Sequence, residues 1–71
     1  MDEYEGWVIV RHILNNASWI NKLKSIDERS RYSKLDGIIV AACREKKVKL
    51  TEHDKSEVRF QVHKALKEGA A

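Results

Sequence analysis

The apolar residues of this chain fall into four stretches separated by polar clusters, and within each they recur mostly three and four positions apart, the period of an amphipathic helix. In the first stretch, Asp2 to Asn15, the residues Trp7, Val10, Ile13 and Leu14 share a helical face. Acids lead this segment and Arg11-His12 close it, the charge order that suits a helix dipole. Gly6-Trp7-Val8-Ile9-Val10 also reads as a buried strand, but continuation through Ile13-Leu14 to Asn15-Asn16 favours helix. A second helix is expected to start at Asn16 or Ser18, either of which can cap it. It presents Trp19, Ile20, Leu23 and Ile26 inward and Asn21, Lys22, Lys24 and Ser25 outward. The polar run Asp27-Glu28-Arg29-Ser30-Arg31 ends it, with Tyr32 as an anchor back to the core.

Ser33-Lys34-Leu35-Asp36 resembles a capping box and predicts a third helix from there to about Lys46. This segment holds an uninterrupted apolar run, Ile38-Ile39-Val40-Ala41-Ala42-Cys43, that one face cannot accommodate, which implies burial on several sides. Leu35, Ile38, Ile39 and Ala42 fill one face, while Gly37, Val40 and Ala41 take much of another. A further cap at Thr51-Glu52-His53-Asp54 predicts a fourth helix over residues 52 to 68, with Val58, Val62, Ala65 and Leu66 on one side and Gly69 as the stop. A competing pattern exists here. Val58-Arg59-Phe60-Gln61-Val62 alternates like a strand and pairs, on that reading, with Val48 to Leu50 as a wing. Phe60 discriminates: on a helix it lies away from Val58 and Val62, on a strand it shares their face. The expected fold is mainly α, a single small domain over residues 1–71 of about four helices; the alternative is a winged helix-turn-helix with a short hairpin at 48–62.

Length sharpens this picture. A 71-residue chain buries only about 60% of the surface its unfolded form exposes, so its stability margin is thin. The sole cysteine, Cys43, rules out an intrachain disulfide and leaves self-association as a route to added stability. Placed inside the apolar run, Cys43 reads as a small core residue in a reducing cytoplasm. The acidic start and the absence of an apolar run approaching about 18 residues favour a soluble, cytoplasmic protein with no membrane contact. Mixed charge at 35% and apolar content at 42% favour folding over disorder.

The net charge of +3 is unevenly placed. Residues 1 to 20 carry three acids and one arginine, a net −2; residues 21 to 50 carry nine bases against four acids, a net +5; residues 51 to 71 balance four against four. A local basic stripe is the footprint of a polyanion-binding surface. Arg29, Arg31, Lys34, Arg44, Lys46, Lys47 and Lys49 bracket the third helix, with Ser33 beside Arg31 and Lys34 at its amino end. Two helices joined by a polar turn have the proportions of a helix-turn-helix, in which the second helix reads bases near its amino end while flanking cations hold phosphates. The expected function is therefore non-catalytic nucleic-acid binding, DNA first, as a regulatory or accessory factor. The apolar content of the third helix argues that contacts come from its ends.

A second function class competes. Trp7, Gly37, Val40, Ala41 and Phe60 form a candidate protein interface, for a homodimer or another partner, because small residues at helical spacing admit a close helix and the apolar surplus is large for so short a chain. Exposed aromatics beside cations would also stack on unpaired bases, although Trp7 and Trp19 sit in core-like patterns. Catalysis ranks last. His12, His53 and His63 are scattered, lack ligand spacing and read as surface residues, so no metal is expected. His53-Asp54 has no nucleophile nearby, and glycines about 30 residues apart make no phosphate loop, so neither an active site nor a cofactor is expected.

Overall fold

The computed structural model describes residues 5–69, and among them the secondary structure is entirely helical. The order is α1 (Glu5–Leu14), α2 (Ala17–Lys24), α3 (Glu28–Lys46) and α4 (Glu52–Lys67). The expected mainly α, four-helix domain is what the chain forms. The hairpin at 48–62 does not form: residues 48 to 51 are an irregular connection, and 52 to 67 are helix. The Thr51 hydroxyl accepts the Asp54 N–H at 3.1 Å, so the cap wins over local alternation because it removes an orphan donor at the helix start. At the other end, Gly69 takes φ 71° and donates to the Leu66 carbonyl.

Each of the two central helices starts on a similar device. Asn16 caps α2 by accepting the Trp19 N–H at 3.1 Å, and Asp27 caps α3 by accepting the Ser30 N–H at 2.9 Å. The second cap corrects the expected boundary. The polar run 27 to 31 is the first turn of α3, not the tail of α2, and Ser33 lies inside the helix. Polar residues such as Glu and Arg are good helix formers, and Asp27 stands directly after the break at Ser25-Ile26, where a cap is needed. The α3 helix ends at Lys47, which adopts the left-handed conformation at φ 56° and lets the Val48 N–H return to the Cys43 carbonyl at 2.9 Å.

The α1 helix packs against α4, α3 and α2, and α3 also contacts α4 and α2, so one core is shared by all four helices. Its center comprises Ile9 and Ile13 of α1, Leu23 of α2, Leu35 and Ile39 of α3, and Val58 and Val62 of α4. The buried stripe of α1 is Gly6, Ile9, Val10 and Ile13, an i, i+3, i+4, i+7 set. Trp7 lies off that stripe and is exposed, against its core-like pattern in the sequence. The acids Asp2 and Glu3 of the expected first turn lie outside the described residues.

Leu35, Ile38, Ile39 and Ala42 are buried together, as the face pattern of α3 requires. Burial on several sides does not follow, because Val40 is 46% exposed and Gly37 is also open to solvent. An unbroken apolar run therefore covers both a core face and an unpartnered outer face.

Candidate nucleic-acid interface

Starting α3 at Glu28 lengthens it to 19 residues, about 28 Å at 1.5 Å per residue. The extra turns are mostly polar, and their exposed residues are Glu28, Arg29, Ser30, Tyr32, Ser33 and Lys34. The groove between α2 and α3 runs along this polar half. One recess is lined by Trp19, Lys22, Lys34, Gly37, Ile38 and Ala41, and an adjoining one by Lys22, Ile26, Ser30, Ser33 and Lys34. Lys22 and Lys34 face both recesses, and no carboxylate lines either.

Carboxylates and cations in this region differ in how they are employed. Asp36 pairs with Arg59 of α4, Glu45 meets His12 of α1 at 2.8 Å, and Glu52 meets Lys55 at 3.3 Å. Asp27 serves the cap, and hydrogen bonding from the Ser30 hydroxyl and N–H holds its carboxyl below the ordinary 3.8. By contrast, the side chains of Lys22, Arg29, Lys34, Arg44, Lys46, Lys47 and Lys49 make no ion pair or hydrogen bond with a described residue. Arg31 is the exception among the candidate cations. Its Nε donates to the Leu23 carbonyl at 3.1 Å, tying α3 to the last turn of α2. It is half-buried and acts as a brace.

The remaining candidates sit at the far end of α3. Arg29 and Arg44 are separated by about 22 Å along the helix axis, so the basic residues make two clusters and not one. Lys46 lines a shallow recess with Val8, Arg11 and His12 of α1 and with Asn15 just beyond it. Lys49 lies with Lys55 at a patch formed by Val40, Cys43, Val48 and Leu50. Burial pushes the Cys43 thiol up, partly offset by Lys55, which keeps it in the protonated, unreactive form.

The candidate protein-interface residues lie on three helices. Trp7, Val40 and Phe60 are exposed, Gly37 is open and Ala41 is half-buried. Val40 belongs to the Cys43-Val48-Leu50 patch, whereas Phe60 lines a separate recess with Tyr32, so the residues do not converge on one surface. Phe60 does point away from Val58 and Val62, as the helical reading required.

Histidines depart most from expectation. His53 is exposed, but His12 is half-buried, with its ring edge on Trp19 at 5.7 Å, and His63 is only 8% exposed. The His63 ring stacks on Tyr32 at 4.7 Å, and its Nδ1 has no hydrogen-bond partner. At i+1 from Val62 and i−3 from Leu66, its position on the inner face was legible in the helical period. Lys22 was missed because its neighbour Lys34 comes from another helix. Among the described residues no group of His, Cys, Asp or Glu is arranged to hold a metal, and no helix is long and apolar enough to cross a membrane. Comparison with protein-family models, curated proteins and solved structures yields no match to this chain.

Proposed function

We propose that this chain is a non-catalytic nucleic-acid-binding module, a regulatory or accessory factor of a reducing cytoplasm, that contacts phosphates from the α2–α3 side. What carries this reading is the uneven use of charge on α3: nearby carboxylates are paired within the fold, while Lys22 and Lys34 line a groove that no acid lines and, like the exposed Arg29 earlier on α3, have no ion-pair partner among the described residues. Unneutralised cations held on a rigid helix release counterions when phosphates replace solvent. Ser33 adds a hydroxyl donor beside Lys34, whereas the Ser30 hydroxyl is committed to the Asp27 cap. The helix pair with its three-residue connection, Ser25 to Asp27, has helix-turn-helix proportions, and the cluster at Arg44, Lys46, Lys47 and Lys49 reaches a second stretch of backbone.

Fluorescence anisotropy with labelled duplex and single-stranded DNA and RNA at 50 and 200 mM salt tests this. Affinity is expected to fall steeply with salt, and the double variant Arg29→Glu, Lys34→Glu is expected to bind on the order of 100-fold more weakly with a shallower salt slope. Unchanged binding by that variant would remove the α2–α3 groove from the site.

A second reading rests on the exposed Val40 and its half-buried neighbours Cys43, Val48 and Leu50, an apolar patch suited to a protein surface, in another protein or a second copy. Sedimentation of wild type and Val40→Lys distinguishes it: loss of a dimer in the variant supports protein contact, and a monomer in both excludes the homodimer.

A further inference from the structure

We propose that the recess between α3 and α4, walled by Tyr32 and Phe60, takes an unpaired base of a single-stranded nucleic acid. The inference rests on the nucleic-acid reading and narrows it to a strand class. Tyr32 is 41% and Phe60 53% exposed, and both line this one recess. Large rings gain most from burial, so two of them left open at one place mark a contact surface. Tyr32 is not free to collapse: stacking on His63, with the rings 30° from parallel, fixes its orientation and leaves the rest of the ring available.

The order of residues along α4 suits a nucleotide. Phe60, Lys64 and Lys67 lie at i, i+4 and i+7 on one stripe, with the Phe60 and Lys64 Cα atoms about 6 Å apart along the axis, and all three line the recess. A base stacked on Phe60 thereby brings its phosphate to Lys64, whose side chain has no partner among the described residues. On α3, the exposed Arg29 stands one turn before Tyr32, outside the recess itself. Two acids also belong to the neighbourhood. Glu28 lies 3.9 Å from both His63 Nε2 and Lys67 Nζ, and Glu68 lines the recess. They offset much of the charge of Lys64 and Lys67. Stacking must therefore carry this site and long-range attraction the α2–α3 groove.

His63 favours a base over an apolar protein side chain. It lines the recess with a buried Nδ1 that has no partner, and a base edge that meets the ring after rotation about Cβ–Cγ supplies a hydrogen bond where a leucine or phenylalanine supplies none.

Anisotropy with labelled oligo-dT and oligo-U twelve-mers and a duplex of equal length, using wild type, Phe60→Ala, Tyr32→Ala, Tyr32→Phe and the Arg29→Glu, Lys34→Glu variant, tests the assignment. Thermal melts verify that each variant folds. Phe60→Ala and Tyr32→Ala are expected to weaken single-strand binding roughly tenfold at unchanged salt slope, with little effect on duplex, and Tyr32→Phe to retain binding. Single-strand binding that survives both ring deletions but fails in the charge variant overturns the base site and leaves the nucleic-acid reading standing. Absence of binding to every oligonucleotide overturns both. Ring deletions that abolish a dimer seen by sedimentation, while nucleic-acid binding persists, assign the recess to a protein contact and overturn the proposal.

Discussion

The inward and outward faces of α3 are built from one apolar sequence, yet they follow different rules. Inward, Leu35, Ile38, Ile39 and Ala42 meet α1, α2 and α4 and are at most 5% exposed. Outward, Arg29, Ser33, Gly37, Val40 and Arg44 are all exposed, and a Cβ built at Gly37 would meet nothing within 4 Å. Large side chains interlock on the first face; the second carries cations at its ends and small or singly apolar residues between them. The inward face stabilises the fold, whereas no packing among the described residues accounts for the composition of the outward one. A helix optimised only for stability would not place glycine at an open mid-helix position.

The largest effect separating the faces belongs to Leu35. Leu35→Ala removes a fully buried side chain and is expected to cost about 2–5 kcal/mol, enough to unfold much of so small a domain, as read from chemical denaturation. Equal loss on changing Val40→Ala would erase the distinction. Next come the cations at the far end of the outward face. Arg44→Glu with Lys47→Glu is expected to lower nucleic-acid affinity about tenfold and to leave the melting temperature nearly unchanged, since neither side chain has a partner to lose among the described residues. A large drop in melting temperature would mean these residues are structural.

Gly37→Ala has the opposite sign. It is expected to stabilise by about 0.5–1 kcal/mol, because the added methyl has room and the helix loses a residue of poor propensity. Combined with a nucleic-acid titration, this variant also reports whether the outward face requires a bare backbone. The smallest effect concerns the cap. Because the Asp27 carboxyl is held below 3.8 in the folded chain, its contribution is fully present above that value and is lost as pH falls through the lower folded value. Melts across pH 2 to 6 should show a steeper acid decline for wild type than for Asp27→Asn, with the two converging in slope above about pH 4. Parallel curves would take Asp27 out of the acid response.

These residues also mark how far the sequence could be read. Four helices, the inward face of α3 and the Thr51 cap followed from periodicity and capping chemistry, both of which are local. The start of α3 did not. Ser33-Lys34-Leu35-Asp36 and Asp27-Glu28-Arg29-Ser30 both offer a cap, and the choice fell to the first after the α2 break, which sent Asp36 to Arg59 instead of a backbone N–H. The helical period does place His63 on the inner edge of α4, but its stacking partner, Tyr32, lies on another helix and could not be read locally.

The candidate site divides along the same line. Its basic residues are visible as a +5 segment, but their availability is not. Arg31 and Lys34 are equivalent in sequence terms, yet Arg31 spends its guanidinium on Leu23 while Lys34 has no side-chain partner among the described residues. The sequence alone determined a small helical chain with its positive charge concentrated around α3, because hydrophobic period, capping and charge placement act within a few residues. Which cations remain free, that Lys22 joins Lys34, and that Tyr32 and Phe60 share one recess were decided by tertiary structure. Pairing between residues on different helices depends on packing geometry that no local pattern encodes.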